Sequence, residues 1–415
     1  MRTLVVGTGA REHALCWKLA QDGEAICAPG NAGIQDDYPT FDVSVRDHVG
    51  LIELAKRTSP DFVVVGPEDP LVDGLADVFR AAGFPVVGPD KKWARIEGSK
   101  AFTKELMASA GVPTALALTT SDHSAALGHV RREYAEGRQV AVKADGTALG
   151  KGVVVCDTLE QAEDVLYRFM VHGEIGESGR TVVLEERLVG REFSLICLCN
   201  ETGFQSLPVA QDYKRAFDND EGLNTGGMGT YSPVDWVTAD TVRETEQRVI
   251  APLLEEVKRR GGAFRGVLFA GLMATPNGLK CLEYNVRFGD PEIETLVRRM
   301  GAGFGDALAA VANGWPIPPV AILDGAAVTV MLASGGYPGA YAKGKPITIG
   351  PLPKGVVVFH AGTTYLGDEV VTAGGRVLAV SAAAPTIAEA RALVYRGVEQ
   401  MNFEGIQYRT DIASL

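Results

Sequence analysis

The chain has 415 residues, 46% of them hydrophobic and 22% charged, with a formal net charge of −12. That length suits two or three domains of about 150 residues with sizeable cores, and the balanced composition excludes a disordered or fibrous chain. No segment approaches the roughly 18 uninterrupted apolar residues of a membrane span, and the acidic balance disfavours a general nucleic-acid surface, so any anionic substrate must be held by local clusters of Arg, Lys and backbone N–H groups.

The opening MRTLVVGTGA turns from an apolar run straight into a glycine turn, without a basic leader, and reads as a strand in a cytoplasmic protein. From Thr3 to about Asp90, short apolar runs (LVVG, AICAPG, DFVVVGPE, FPVVGPD) alternate with helical stretches, the pattern of β-α-β units around a parallel sheet. Ligands of such sheets sit beyond the carboxyl ends of the strands, so loops 7–11, 29–33 and 66–70 should line one crevice. Gly7-Thr8-Gly9 with Arg11 approaches a dinucleotide fingerprint, but Glu12 replaces its third glycine. The loop reads either as an anion cradle at a helix start or as a plain tight turn. Glu68, in GPEDP, stands where ligands bind or as a solvated loop acid. Ser99 should cap a helix carrying Lys100 and Lys104 that stops near Gly111 and Pro113.

Residues 139–192 read as strand, glycine loop, strand, helix and strand. The loop holds Gly146, Gly150, Lys151 and Gly152, whose backbone can approach phosphate oxygens closely. It is no P-loop, because Gly152 stands where Ser or Thr would be needed and a strand follows instead of a helix. As a bare hairpin tip with a solvated lysine it would need no ligand, but Lys143 lies inside an apolar strand where an unpaired ammonium is costly. A triphosphate would give it a partner. Next, QDYKRAF puts Asp212 beside Lys214 and Arg215, and a flexible run, Asn224-Thr225-Gly226-Gly227-Met228-Gly229, follows; together they suit the capture of a small zwitterion. A helix near 241–260 leads to the strand GVLFAGLMA and then to EYNVRFGDPE. Alternation there puts Glu283 and Asn285 on one face, two oxygen ligands for a hard divalent ion that bridges phosphates, with Arg287 to neutralise the remaining charge. Asp290 and Glu292 close the motif. Small-residue strands follow residue 325, and a helix at 386–400 precedes the end.

The six cysteines are scattered without a CxxC pair and the six histidines show no ligand spacing, which argues against disulfides, zinc and haem. The cysteines should be buried small hydrophobes.

In order along the chain, GTGAREHALCWK, PGNAG, GPEDPLVDG, VKADGTALGKGVVV, QDYKRAFDND with NTGGMGTYSP, LEYNVRFGDPE, SGGYPG and VFHAGT resemble the motifs of the phosphoribosylamine–glycine ligase family of the ATP-grasp superfamily. RFGDPE is the most specific of them. The resemblance implies a mixed α/β and α+β fold: an N-terminal parallel-sheet β-α-β domain (1–100), a linking helix (101–120), a lid subdomain (121–192), a catalytic core (193–325) and a small β-rich C-terminal domain (326–415). It implies ATP-dependent joining of glycine to 5-phosphoribosylamine through a glycyl phosphate, and no protein nucleophile. A carboxylate is a poor electrophile until its oxygen becomes a good leaving group, and the remaining work is positioning, neutralisation and exclusion of water.

Carried onto this sequence, the resemblance puts Lys104 and Lys143 on ATP phosphates and Gly146, Gly150, Lys151 and Gly152 in the lid. Glu185, Glu186 and Leu188 fall at adenine and Glu192 at ribose. Glu283 and Asn285 would bind Mg2+ or Mn2+, and Arg287 the transferring phosphoryl group. Asp212, Lys214, Arg215, residues 224–229 (Asn224, Thr225, Gly226, Gly227 and Met228 among them), Asp290 and Glu292 would shape the glycine and phosphoribosyl pockets. Gly9, Arg11, Asn31 and Glu68 would face phosphoribosylamine, Glu68 by orienting its amine. Arg287, Lys143 and Asp212 are the expected catalytic residues. Partners would be these small molecules, not nucleic acid or membrane, and a monomer or weak dimer is expected. The pattern departs from the family at Ala10, Thr147, Leu149 and Tyr213, and the strand at Val267 and Phe269 offers no carboxylate, unlike many other ATP-grasp enzymes. A nicotinamide oxidoreductase, an ATP-binding regulator and a biotin-dependent carboxylase are the rival readings.

Overall fold

The computed structural model describes residues 1–146 and 152–414. The first apolar run becomes strand Arg2–Gly7, an inner member of a parallel four-stranded sheet ordered Glu24–Pro29, Arg2–Gly7, Phe62–Val65, Val86–Val87. Helices flank it, which is why its strands carry continuous apolar runs and not an alternation; Leu4, Val5, Val6, Val63 and Val64 are all buried. Helix Lys100–Ala110 follows as expected. Ser99 Oγ accepts the Phe102 N–H at 3.1 Å, and the helix ends on Gly111 at φ +70°, a left-handed turn open to glycine at little cost.

The next sheet is antiparallel, ordered Ala117–Thr120, Val182–Glu186, Val140–Ala144, Val153–Val155, and helices His123–Ala135 and Leu159–Leu166 back it. Val130, Val142, Val165 and Leu184 give this unit its own core. A third sheet, Gly203–Ser206, Arg191–Asn200, Gly266–Thr275, Gly278–Asn285, is also antiparallel and carries the EYN segment at its edge.

The last large sheet runs Gln211–Asp212, Gly229–Ser232, Ala326–Ser334, Arg376–Ala384, Val356–His360, with Ile406–Gln407 also paired to Ala326–Ser334. Its first two strands lie before residue 325, so the sheet crosses the expected domain break. The reason is register: Thr230 and Tyr231, both fully buried, pair with Thr329 and Val328, and the Thr295 hydroxyl donates to Thr329 Oγ1 at 2.7 Å beneath them. The glycine-rich segment is thereby fixed to the C-terminal part. All six cysteines are buried and unbridged, as small hydrophobes, and no helix of the described residues is long and apolar enough to cross a membrane.

Strand Val356–His360 ends against helix Ala10–Leu19, where His13 Nδ1 accepts the His360 N–H at 3.0 Å. Gly33 packs on the His360 ring so closely that a methyl there would collide with it. Burial, and His13 beside it, push the His360 imidazole from 6.5 down to about 4. Folded protein thus keeps this ring neutral where the unfolded chain takes up a proton. The associated stability is complete above about pH 6.5 and is lost as pH falls toward about 4, to a limit of about 3 kcal/mol. Urea midpoints measured from about pH 7 to about pH 4.5 should fall less steeply for His360→Gln than for the parent chain. Equal slopes would assign the acid sensitivity elsewhere.

Candidate active site

On strand Gly278–Asn285, Tyr284 points inward and its hydroxyl donates to Val249 O at 2.7 Å, so Glu283 and Asn285 share the opposite face. They line one cleft with Glu97, Lys100, Lys104, Lys143 and Glu185. Lys100 and Lys104 are one turn apart on their helix, and Lys143 is the single incompletely buried residue of strand Val140–Ala144. The partner expected for Lys143 is supplied by the protein itself: the buried Glu185 carboxylate lies 2.8 Å from Lys143 Nζ and 3.0 Å from Lys104 Nζ. Burial lowers the Lys100 and Lys104 ammonium groups. Burial alone would raise Glu283, but Lys214, Lys143 and Lys100 outweigh it and hold this carboxyl below its usual range. The cleft therefore sets an ionised carboxylate among cations.

Lys100, placed on this helix from sequence but given no role there, donates to Gly146 O at 3.1 Å and so touches the start of the glycine loop. Gly152 O accepts the Ala144 N–H at 2.7 Å at its far end. Gly150 and Lys151, with Thr147 and Leu149, lie outside the described residues. Glu186 accepts the Leu116 N–H at 2.9 Å, and Leu188 is half-buried beyond that strand's end.

Arg287 is pinned from three sides. Its Nη2 is 2.8 Å from Glu97 Oε1, its Nε 3.4 Å from Glu68 Oε2, and Nη1 donates to Phe288 O at 3.2 Å. Burial would raise Glu68, but Arg287 and Arg11 keep it below the usual carboxylate range. Glu97 is pushed up to about 7 by burial, with Arg287 opposing the rise. Sequence reasoning missed Glu97, yet a signal existed: it follows Trp93 by four residues and Ala94 by three, which puts it on the buried face of helix Lys91–Gly98.

The crevice of the first sheet departs from expectation. Glu12, standing where the third glycine would be, turns back so that its Oε2 accepts the Gly9 N–H and its Oε1 the Arg11 Nε–H. A methyl on Gly7 or Gly66 would strike its side chain. The supposed anion cradle is thus already filled by the chain's own carboxylate, and Arg11 reaches Phe288 O at 3.2 Å. Asn31 is also committed. It caps helix Ala32–Asp37 by accepting the Ile34 N–H, and its Nδ2 donates to Thr8 O and His360 O at 2.8 and 2.7 Å, leaving its amide spent on joining the first sheet to the last. Met228 is a third correction. Its side chain is fully buried, its N–H is bonded to Tyr213 O and its carbonyl to the Met331 N–H, so the side chain packs in the core and does not line an open pocket.

The residues around Asp212 converge. Lys214 Nζ is 2.7 Å from Glu192, and the surrounding Glu192, Glu283 and Asp212 raise this ammonium although burial would lower it. Gly227, at φ +109°, lies so close to Asp212 Oδ1 and Pro291 that any side chain would collide with both. Burial and the neighbouring Glu292 push the Asp212 carboxyl well above its usual range. Glu292, raised by burial, accepts the Ser194 hydroxyl at 3.0 Å. Thr225 Oγ1 donates to Lys214 O and accepts the Gly227 N–H, while Arg215 Nη1 donates to Gly222 O across the hairpin that also pairs it with Asn224. Arg376, a second residue missed from sequence, comes from the last sheet. It donates to Gly226 O at 2.7 Å and Asp290 O at 2.9 Å, and its Nη2 lies 3.1 Å from Asp290 Oδ1.

Three family models match the chain: the phosphoribosylglycinamide synthetase N domain over residues 1–97, its ATP-grasp (A) domain over 98–293 and its C domain over 327–415. A phosphoribosylamine–glycine ligase of Rhizobium meliloti (strain 1021) is 43% identical over 424 residues, covering 99% of this chain and 98% of that protein. The chain belongs to the phosphoribosylamine–glycine ligase family. A ligase of the same name from Streptomyces coelicolor is 44% identical, with 100% of this chain and 99% of that protein covered. The crystal structure of the Thermotoga maritima phosphoribosylamine–glycine ligase superposes with a TM-score of 0.86 at 34% identity, over 99% of this chain and 100% of that one. The biotin carboxylase domain of Hydrogenobacter thermophilus 2-oxoglutarate carboxylase, at 17% identity and a TM-score of 0.72, shares the fold. The ligase family's architecture is thus that of this molecule: a parallel N-terminal sheet, ATP-grasp sheets and a β-rich C-terminal part.

Proposed function

We propose that this chain joins glycine to 5-phosphoribosylamine with ATP, through a glycyl phosphate, giving glycinamide ribonucleotide, ADP and phosphate in purine biosynthesis. The observation that carries the reading is the cleft in which Lys100, Lys104 and Lys143 face Glu283 and Asn285, in a chain matched end to end by ligases of that name.

Among the described residues no group of three or more His, Cys, Asp or Glu could cage a metal ion. The donor set of one ionised carboxylate and one amide oxygen fits Mg2+ or Mn2+, which keep waters and take further ligands from phosphates. Glu283 and Asn285 would hold such an ion, which supplies neutralisation of the triphosphate charge. Lys104 and Lys143 bind the phosphates, exchanging their contact with Glu185 for phosphate oxygens. Arg287 neutralises charge on the phosphoryl group as it moves to the glycine carboxylate, held in position by two carboxylates so that little reorganisation is needed. Asp212 and Glu292 face the cationic end of glycine; Lys214 and Arg376 oppose the rise of the Asp212 carboxyl, and Arg287 and Lys214 that of Glu292. Amine attack on the acyl phosphate then releases phosphate, and the buried Asp212 carboxylate stands ready to take the proton.

Phosphate release from ATP and Mg2+ should require both glycine and freshly made phosphoribosylamine. Release driven by bicarbonate, or by alanine equally well, would reject the glycine assignment.

A further inference from the structure

The carboxylate of Glu97 belongs to the helix Lys91–Gly98, far in sequence from the EYNVR segment, yet it meets three consecutive residues of that segment. The Val286 N–H donates to Oε2 at 2.8 Å, and Arg287 Nη2 lies 2.8 Å from Oε1. Assigned so that donors meet acceptors, the Asn285 amide places Nδ2 3.1 Å from Glu97 Oε1 and 3.3 Å from Tyr284 O, the orientation that turns Oδ1 away from Glu97. The Glu97 side chain is 7% exposed, and these three donors meet both of its oxygens.

A counter-ion for Arg287 would not by itself require such a residue, because Glu68 already stands 3.4 Å from its Nε. What Glu68 does not supply is the grip on Asn285. An amide has one ligating oxygen and one non-ligating nitrogen of almost the same shape, so an ion site built on Asn needs something to choose between the two orientations. A buried carboxylate makes that choice, because it accepts from Nδ2 and repels Oδ1.

We propose that Glu97 is a positioning residue of the phosphoryl-transfer centre: it orients the Asn285 amide with its oxygen toward the ion and holds the Arg287 guanidinium at the same strand end. This rests on the reading of Glu283 and Asn285 as ion ligands. It predicts that Glu97 acts on ion affinity through Asn285, which a merely structural role would not do.

The test uses Mn2+ binding in the presence of ADP, followed by electron paramagnetic resonance on full-length protein, with thermal melting as the check of folding. Glu97→Gln should weaken Mn2+ binding about 10-fold or more, since an amide in place of the carboxylate no longer selects one orientation of Asn285. Combining it with Asn285→Asp should return the affinity to within about threefold of the parent, because a carboxylate presents oxygen in either orientation and the amide introduced at position 97 can donate to it. The shorter Glu97→Asp serves if Glu97→Gln does not fold, and should show the same weakening. Parent-like Mn2+ affinity in the folded single variant, or a weakening that the exchanged pair does not recover, would overturn the proposal. Failure of the ligase reading is separate: it would appear in the parent chain as phosphate release independent of glycine, whatever the Mn2+ result.

Discussion

Replacing Arg287 by alanine is expected to lower kcat about 10³-fold while changing KM for ATP and glycine by less than about threefold. The guanidinium contacts Glu97, Glu68 and Phe288 O in the resting site. In the reaction its charge matters when negative charge spreads over the transferring phosphoryl group, so the loss falls on turnover and not on ground-state binding. The cost in stability should be small, within about 2 kcal/mol, for a reason that the site itself supplies. With the cation gone, Glu97 would be a buried carboxylate without its counter-charge, but burial already pushes its carboxyl up to about 7, so it can take a proton instead of remaining an isolated charge. Arg287→Lys retains a charge and loses the planar fork, and should fall between the two. Steady-state phosphate release with a thermal melt on the same preparations checks both halves. Turnover close to that of the parent chain would remove Arg287 from the chemistry.

Parts of the site differed in how much of them could be read from the amino acids. Glu283 and Asn285 were legible because strand alternation alone decides that they share a face, and the spacing of two is short enough for local geometry to fix it. Lys143 was legible by contrast, as a charge inside an apolar strand, and the helix around Lys104 by its Ser99 cap and Gly111 stop. Pairings across long stretches of chain were not. Glu97 meets residues 285–287, Arg376 meets Gly226 and Asp290, and Asn31 meets His360, in each case through strand orders that no local pattern encodes. The N-terminal loop left two readings open, an anion cradle and a plain tight turn, and local sequence could not choose between them because the group that meets the Gly9 N–H is Glu12, present in the same motif and able to fold back onto it. Met228 misled because a glycine-rich run suggests a free loop, whereas this one adds a strand to the last sheet and buries the single large side chain it carries.

Asp212→Asn should abolish glycine-dependent turnover, by about 10²-fold or more, and the pH dependence of the parent chain should show why. Burial and the adjacent Glu292 raise the Asp212 carboxyl well above its usual range, and Lys214 and Arg376 restrain the rise without cancelling it. The ionised form, which can face an ammonium group or accept a proton, therefore gives way to the neutral form at a higher pH than for an ordinary carboxylate. kcat/KM for glycine should accordingly fall on the acid side, with a midpoint above the usual carboxylate value of about 4. Glu292→Gln removes the like charge while keeping an acceptor for the Ser194 hydroxyl, so the midpoint should move to lower pH and not merely shrink in amplitude. In Asp212→Asn the residual activity should lose this acid limb. An acid limb of unchanged midpoint in Glu292→Gln would mean that the pair does not titrate together, and a limb that survives intact in Asp212→Asn would assign the ionisation to a different group in the pocket.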